Sequence, residues 1–141
     1  MNTITGAGGI NANLAPDAFH RWAQHYYKCR QDFESPQRFS PVPYFLLCRA
    51  IELELKARHL NVMTQEQVKK AFGHDLLRAY EKLPSTQQQL DSAEVLLLRQ
   101  ASEIYAGKGF EYFDAENALT AYKSYPDLAA LDRVAQRLLG P

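Results

Sequence analysis

The stretch RAIELELKARHL, residues 49–60, belongs to the segment that decides the fold of this chain. At about 100° per residue, a helix over residues 42–60 carries two apolar arcs instead of one. One arc contains Leu46, Ala50, Leu53, Ala57 and Leu60, and the other contains Leu47, Cys48, Ile51 and Leu55. Because a helix that is apolar on two sides packs against neighbours on both, we expect this helix at the centre of a bundle.

Two polar strips separate these apolar arcs. Glu54 and Arg58 form the strip that is expected to face water. The other strip is expected in a groove between helices, and it consists of Arg49, Glu52, Lys56 and His59. Unpaired buried charge is costly, so the charges of this strip would need partners there. His74 and Asp75, from the next element, are available to provide them.

A purely structural interpretation of these residues is also open. Glu52 precedes Lys56 by four positions, the orientation that favours an ion pair within a helix, worth ~0.3–0.5 kcal/mol when exposed. Asp75 would serve as the cap of the helix that follows it. The pattern therefore predicts either a structural network or a ligand site. The candidate ligand-binding residues are Arg49, Glu52, Lys56, His59, His74 and Asp75.

The rest of the chain also favours helix. Helical spacing predicts helices over about residues 16–33, 92–106, 116–123 and 127–139, and an aromatic stripe in the first of them is expected to join the core. Thr64 and Gln67 have the form of a capping box, and Gly73 is expected to interrupt the region that they begin. The fold prediction is all-α: an up-and-down antiparallel bundle of four to five helices over residues 16–141, after a flexible lead-in of residues 1–15.

Composition narrows the possible partners. Lysine plus arginine and aspartate plus glutamate number 16 each, so no global field attracts nucleic acid or an anionic membrane. No apolar run approaches the ~20 residues that span a bilayer, and residues 1–16 lack the features of a signal peptide. We therefore expect a cytoplasmic protein with no membrane partner, in which Cys29 and Cys48 are reduced and buried.

The sequence carries no recognised catalytic or metal-binding motif. Two isolated cysteines and four histidines do not form a zinc spacing. The GAGG near the start is not followed by the lysine of a phosphate loop, and no G-x-S-x-G nucleophile turn occurs. The sequence predicts neither a bound metal nor a cofactor.

Two segments together carry a resemblance to a known family. AIELELK, residues 50–56, is followed by GHDLLRAYEKL, residues 73–83, and this pair resembles the HEPN superfamily over about residues 44–83. The resemblance implies a HEPN-like α-helical bundle, frequently dimeric. Many family members are metal-independent ribonucleases that use an arginine and, a few positions later, a histidine on a late helix. Others lack that pair and bind RNA, nucleotides or proteins.

The chain departs from the nuclease pattern. Arg99 is followed by QASEIYAGKG, which contains no histidine, and no histidine follows Arg133 or Arg137. The resemblance therefore implies a non-catalytic binding or assembly module in a bacterial defence or stress system such as toxin–antitoxin. Such a module would be a homodimer and would hold RNA, a nucleotide or a protein partner.

The sequence leaves open two alternatives to a non-catalytic binding module. The first is a metal-independent ribonuclease or transferase with non-standard catalytic residues, for which His25, His74 and Arg99 are the candidates. The second is a protein–protein adaptor that binds no small ligand.

Overall fold

The protein is all-α apart from two short strands near the start. A computed structural model describes residues 3–5 and 11–140. Within them lie strands β1 (Thr3–Thr5) and β2 (Asn11–Asn13), a 3-10 turn (Ser85–Gln87) and seven α-helices. The helices are α1 (Ala15–Asp32), α2 (Val42–His59), α3 (Gln65–Phe72), α4 (Leu76–Glu81), α5 (Ser92–Ala106), α6 (Ala115–Leu119) and α7 (Leu128–Leu139). Of the helices described, none is long and apolar enough to cross a lipid bilayer.

Helix α2 lies at the centre, as its two apolar arcs predict. It packs against α1 on one side and against α4, α5 and α7 on the others. Leu47, Ile51 and Leu55 of one arc are fully buried, and so is Leu60 at the end of the other. The helix begins next to prolines, which are favoured in a first turn.

Local sequence signals place the helix ends where they were predicted. The Thr64 hydroxyl accepts from the backbone N–H of Gln67, whose side chain accepts from the N–H of Thr64. Asp91 and Glu94 form the same reciprocal cap at the start of α5. Gly73 ends α3 with φ of +52°, a conformation that favours glycine because it carries no Cβ.

The helices differ in number and length from the prediction. The break at Gly73 divides the third of the six predicted helical regions into α3 and α4, so seven helices occur among the described residues, and the number of them that form the bundle stays a prediction. Helix α6 ends at Leu119, short of the predicted residue 123, because Ala121 and Tyr122 have φ near +56°. The antiparallel order of the bundle stays a prediction.

The predicted flexible lead-in is described in part. Strands β1 and β2 pair antiparallel, with Thr3 opposite Asn13. Residues 1–2 and 6–10 lie outside the described residues, and the flexibility of the lead-in stays a prediction.

Two predictions about burial on α1 are wrong. Trp22, expected in the core, has 51% of its surface exposed, and Ala23 is the residue of this helix that is fully buried. Cys29, expected to be buried, is exposed, whereas Cys48 is buried and both thiols are free. Both differences arise because α1 packs mainly on α2 and therefore buries one of its own faces. Burial raises the pKa of the Cys48 thiol.

The strip of Glu54 and Arg58 does not face water as predicted. Glu54 is buried, with its Oε1 2.5 Å from Nδ1 of His20 on α1 and its Oε2 3.4 Å from Nε of Arg58. Arg58 also donates to the backbone oxygens of Leu138 (2.7 Å) and Gln87 (3.2 Å). Helix α1 and the end of α7 enclose this strip, and Arg58 supplies donors to carbonyls that the helix end leaves free.

Replacing Arg58 by alanine should destabilise the fold by about 2 kcal/mol, because the change removes one of the two partners of the buried Glu54 carboxylate and the donor to a helix-end carbonyl. Urea unfolding followed by circular dichroism measures the difference. Arg133→Ala, at an exposed position on α7, is the matched control and should stay within about 0.5 kcal/mol of the parent. Equal unfolding midpoints for the two variants would contradict the proposed contribution of Arg58.

Candidate functional site

A cavity of about 1070 Å³ opens between α1, α2, α3 and the corner after α3. We name it the α1–α2–α3 cavity. Its volume is close to the ~300–1,000 Å³ that is usual for small-molecule sites. Helix α1 supplies a mainly aromatic wall, α2 supplies charged side chains with Leu53 and Leu60, and α3 adds Glu66, Val68 and Lys69.

The aromatic wall follows from helical spacing on α1. Phe19, Trp22 and Tyr26 stand three and four residues apart, so they share one face. The Phe19 and Trp22 rings lie 5.7 Å apart between centroids. Because Trp22 is half exposed, a flat apolar surface faces the opening of the cavity.

The charged side of the cavity is organised around Glu52, which is 3% exposed. Lys56 Nζ lies 2.7 Å from Oε2 of Glu52, and the Tyr105 hydroxyl donates to Oε1 at 2.5 Å. Nδ1 of His74 lies 3.1 Å from Oε1, and Nη1 of Arg49 lies 3.5 Å from it. We name these five residues the Glu52 network. They fix the carboxylate and compensate its charge.

The electrostatics of the network keep Glu52 ionised and Tyr105 protonated. Burial by itself would raise the pKa of Glu52, but hydrogen bonds from Lys56, Tyr105 and His74 outweigh it and hold that pKa below its ordinary value. Burial and the neighbouring carboxylate raise the pKa of Tyr105. Burial works against the charge of Arg49, but hydrogen bonding to Tyr105 and the charge of Glu52 outweigh it and raise its pKa.

Four of the six predicted ligand-binding residues line the cavity together. These are Arg49, Glu52, Lys56 and His74, and they come from α2 and from the corner between α3 and α4. The predicted meeting of the α2 strip with the Gly-His-Asp corner therefore occurs in the folded chain. Whether these residues bind a ligand stays a prediction.

The other two, His59 and Asp75, do not line the cavity. His59 lies under α4, where its Nε2 is 2.7 Å from the Ala79 carbonyl oxygen and its ring packs 4.3 Å from that of Phe72. Asp75 caps α4 by accepting from the backbone N–H of Arg78 at 3.0 Å, which is the structural interpretation. Both side chains are engaged in holding α4 in place.

The alternative catalytic residues are not all brought together. His25 and His74 both line the cavity. Arg99 is exposed on α5 and is not part of its lining. The described residues also contain no group of three or more His, Cys, Asp or Glu placed to hold a metal ion.

The sequence does not indicate Tyr105 or the aromatic wall as parts of the site. Helical spacing puts Tyr105 on the apolar face of its helix, and no local signal places its hydroxyl against a carboxylate 53 positions earlier. The wall does have a signal in the sequence. His25 stands in the same stretch as Trp22 and Tyr26, and a polar ring within an aromatic stripe marks a face that is not wholly core.

The chain matches no protein-family model, no curated protein and no solved structure. The resemblance to the HEPN superfamily therefore depends on residues 50–56 and 73–83 alone.

The pH dependence of stability should reveal the burial of Glu52. Because its pKa is lowered in the folded chain, its contribution is present above its unfolded pKa of about 4.5 and is lost as pH falls through the folded pKa. Glu52→Gln should therefore cost about 3 kcal/mol at pH 7, where Lys56 loses its counterion, and progressively less below pH 4. Urea unfolding of both proteins at pH 7, 5 and 3.5 measures this.

Glu66→Gln is the control for this experiment, since Glu66 is an exposed cavity residue on α3. It should change stability by less than about 0.5 kcal/mol at each pH. If the difference in unfolding free energy between the parent and Glu52→Gln is the same at pH 7 and at pH 3.5, the burial of an ionised Glu52 is contradicted.

Proposed function

We propose that the chain is a non-catalytic, HEPN-like binding module whose α1–α2–α3 cavity holds a nucleotide or the exposed end of an RNA. One observation carries the proposal: the aromatic wall of α1 and the positively charged Arg49 line the same cavity. A homodimer, and a place in a bacterial defence or stress system, belong to the same proposal through the family resemblance.

The two sides of the cavity suit the two parts of a nucleotide. Bases stack on aromatic side chains, and unpaired RNA bases are commonly recognised in this way. Phosphate groups bind arginine and lysine. Phe19 and Trp22 offer rings, and Arg49, which lies over the ring of Tyr26, offers positive charge next to them. The concave shape favours a small ligand or a strand end over the flat surface of a protein partner.

The state of Glu52 supports binding over catalysis. A general base needs a free lone pair and a pKa near the working pH. The Glu52 carboxylate is surrounded by four donors, and its pKa is lowered. Tyr105 keeps its proton because its pKa is raised. These groups hold their neighbours in place, and the proposal assigns them no proton transfer.

The position of Trp22 provides a direct test of binding. It is the single tryptophan of the chain and it lines the cavity, so a base stacked on it should quench its fluorescence. We expect quenching by nucleotides or by short single-stranded RNA, with one site per chain by calorimetry. Trp22→Ala should weaken binding by about 1–3 kcal/mol, the usual contribution of one stacked base.

Val62→Ala is a suitable control for this test, because Val62 is strongly exposed after α2 and is not part of the cavity. Its affinity should equal that of the parent. If neither nucleotides nor RNA change the fluorescence or release heat at millimolar concentration, the proposal fails.

A ribonuclease is the second candidate, since His25 and His74 line the same cavity and a pair of histidines can act as acid and base. An RNA cleavage assay separates it from the first. We expect no cleavage by the parent. Cleavage that disappears in His25→Ala and in His74→Ala, but persists in Arg99→Ala, would replace the binding module by a nuclease.

A further inference from the structure

We infer that the α1–α2–α3 cavity selects a ligand in which a flat ring is joined to a single anionic group, and that Arg49 binds that group. This inference rests on the proposed function and deepens it by naming the chemical class of the ligand. It depends on which of the charges around the cavity are already compensated.

Lys56 is not available to a ligand. Its ammonium lies 2.7 Å from Oε2 of Glu52, and its side chain is only 11% exposed. Removing it from Glu52 would leave a buried carboxylate without its closest cation, which is strongly unfavourable. Lys56 is therefore an internal counterion.

The carboxylate, ammonium and guanidinium groups of the lining sum to one positive charge. Glu66 and Lys69, both on α3, have opposite charges, and the charge of Glu52 is matched by that of Lys56. The remaining charge is that of Arg49. A site with one unmatched positive charge favours a ligand with one anionic group.

Arg49 is held in a geometry that suits an anion. Its side chain is 33% exposed, and its Nη1 is 3.5 Å from Glu52, longer than an ordinary hydrogen bond. The guanidinium lies over the ring of Tyr26, with Cζ 5.9 Å from the ring centroid. Its planar fork can donate two parallel N–H bonds to a carboxylate or a phosphate. Glu52 and Tyr26 thus orient the guanidinium of Arg49 without engaging all five of its N–H donors.

The ring of the ligand and its anion would bind close together. Tyr26 lies one turn after Trp22 on α1, ~6 Å along the helix. A ring stacked on Trp22 therefore places an acidic group that is joined to it directly, or through one sugar, near the guanidinium that lies over Tyr26. A chain of several phosphates would bring further negative charge towards Glu52 and Glu66, which line the same cavity.

A nucleoside monophosphate and an aromatic carboxylate share this chemistry, and five probes distinguish them. Calorimetry and Trp22 fluorescence at constant ionic strength would compare AMP, adenosine, ATP without magnesium, inorganic phosphate and 2-naphthoate. We expect AMP or 2-naphthoate to bind at least about tenfold more tightly than adenosine and ATP. Inorganic phosphate alone should bind more weakly than either of them.

Variants at Arg49 separate its role from a general effect on folding. Arg49→Gln should reduce the affinity for the tightest probe to that of adenosine, whose own affinity should persist and so shows that the cavity is intact. Arg49→Lys, which keeps the charge without the fork, should lose affinity to an intermediate extent. Arg133→Gln, exposed on α7 and outside the cavity, should match the parent.

Each outcome decides one of the two proposals. Tight binding of AMP alone would assign a phosphate ligand, and tight binding of 2-naphthoate alone would assign a carboxylate ligand. Either result supports the inference. Affinities for AMP and for 2-naphthoate that both equal the affinity for adenosine, a preference for ATP, or unchanged selectivity in Arg49→Gln would overturn the inference and leave the proposed binding function standing. Failure of all five probes, together with the RNA of the earlier test, overturns both.

Discussion

The compensation of one buried carboxylate, that of Glu52, determines how the elements around α2 are arranged. An ionised group in the interior is very unfavourable without partners. Its partners come from three places: Arg49 and Lys56 from α2 itself, Tyr105 from α5, and His74 from the corner after α3. Because all of them must converge on two oxygen atoms, the carboxylate fixes the position of that corner and of α5 relative to the central helix.

Glu54 places a similar constraint on the other flank. Two residues along a helix differ by ~200° in direction, so the carboxylates of Glu52 and Glu54 leave α2 on nearly opposite sides. Glu54 meets His20 on α1 and Arg58, which in turn holds the end of α7. The central helix is therefore joined to its neighbours by polar contacts on two sides as well as by its leucines.

This arrangement gives the cavity its chemical character. In the Glu52 network Lys56 compensates the charge of Glu52 and Arg49 carries a further positive charge, while α1 contributes aromatic rings that are only partly covered. A carboxylate saturated by donors holds other groups in place and does not readily accept a proton. The same contacts that make burial of Glu52 tolerable thus orient the guanidinium to which the proposed ligand would bind.

By itself, the sequence determined the long helices, most of their ends and the central place of α2, because capping residues, Gly73 and helical periodicity act within a few positions of the chain. It also indicated that Arg49, Glu52 and Lys56 would share a strip. Only the tertiary structure decided which polar side chains face the cavity. Tyr105 joins Glu52 from 53 positions away, and Trp22 remains exposed where core was expected. The contact of Tyr105 and the exposure of Trp22 depend on how the helices pack together. That packing is determined by contacts between residues far apart in the chain, which a local sequence pattern does not predict.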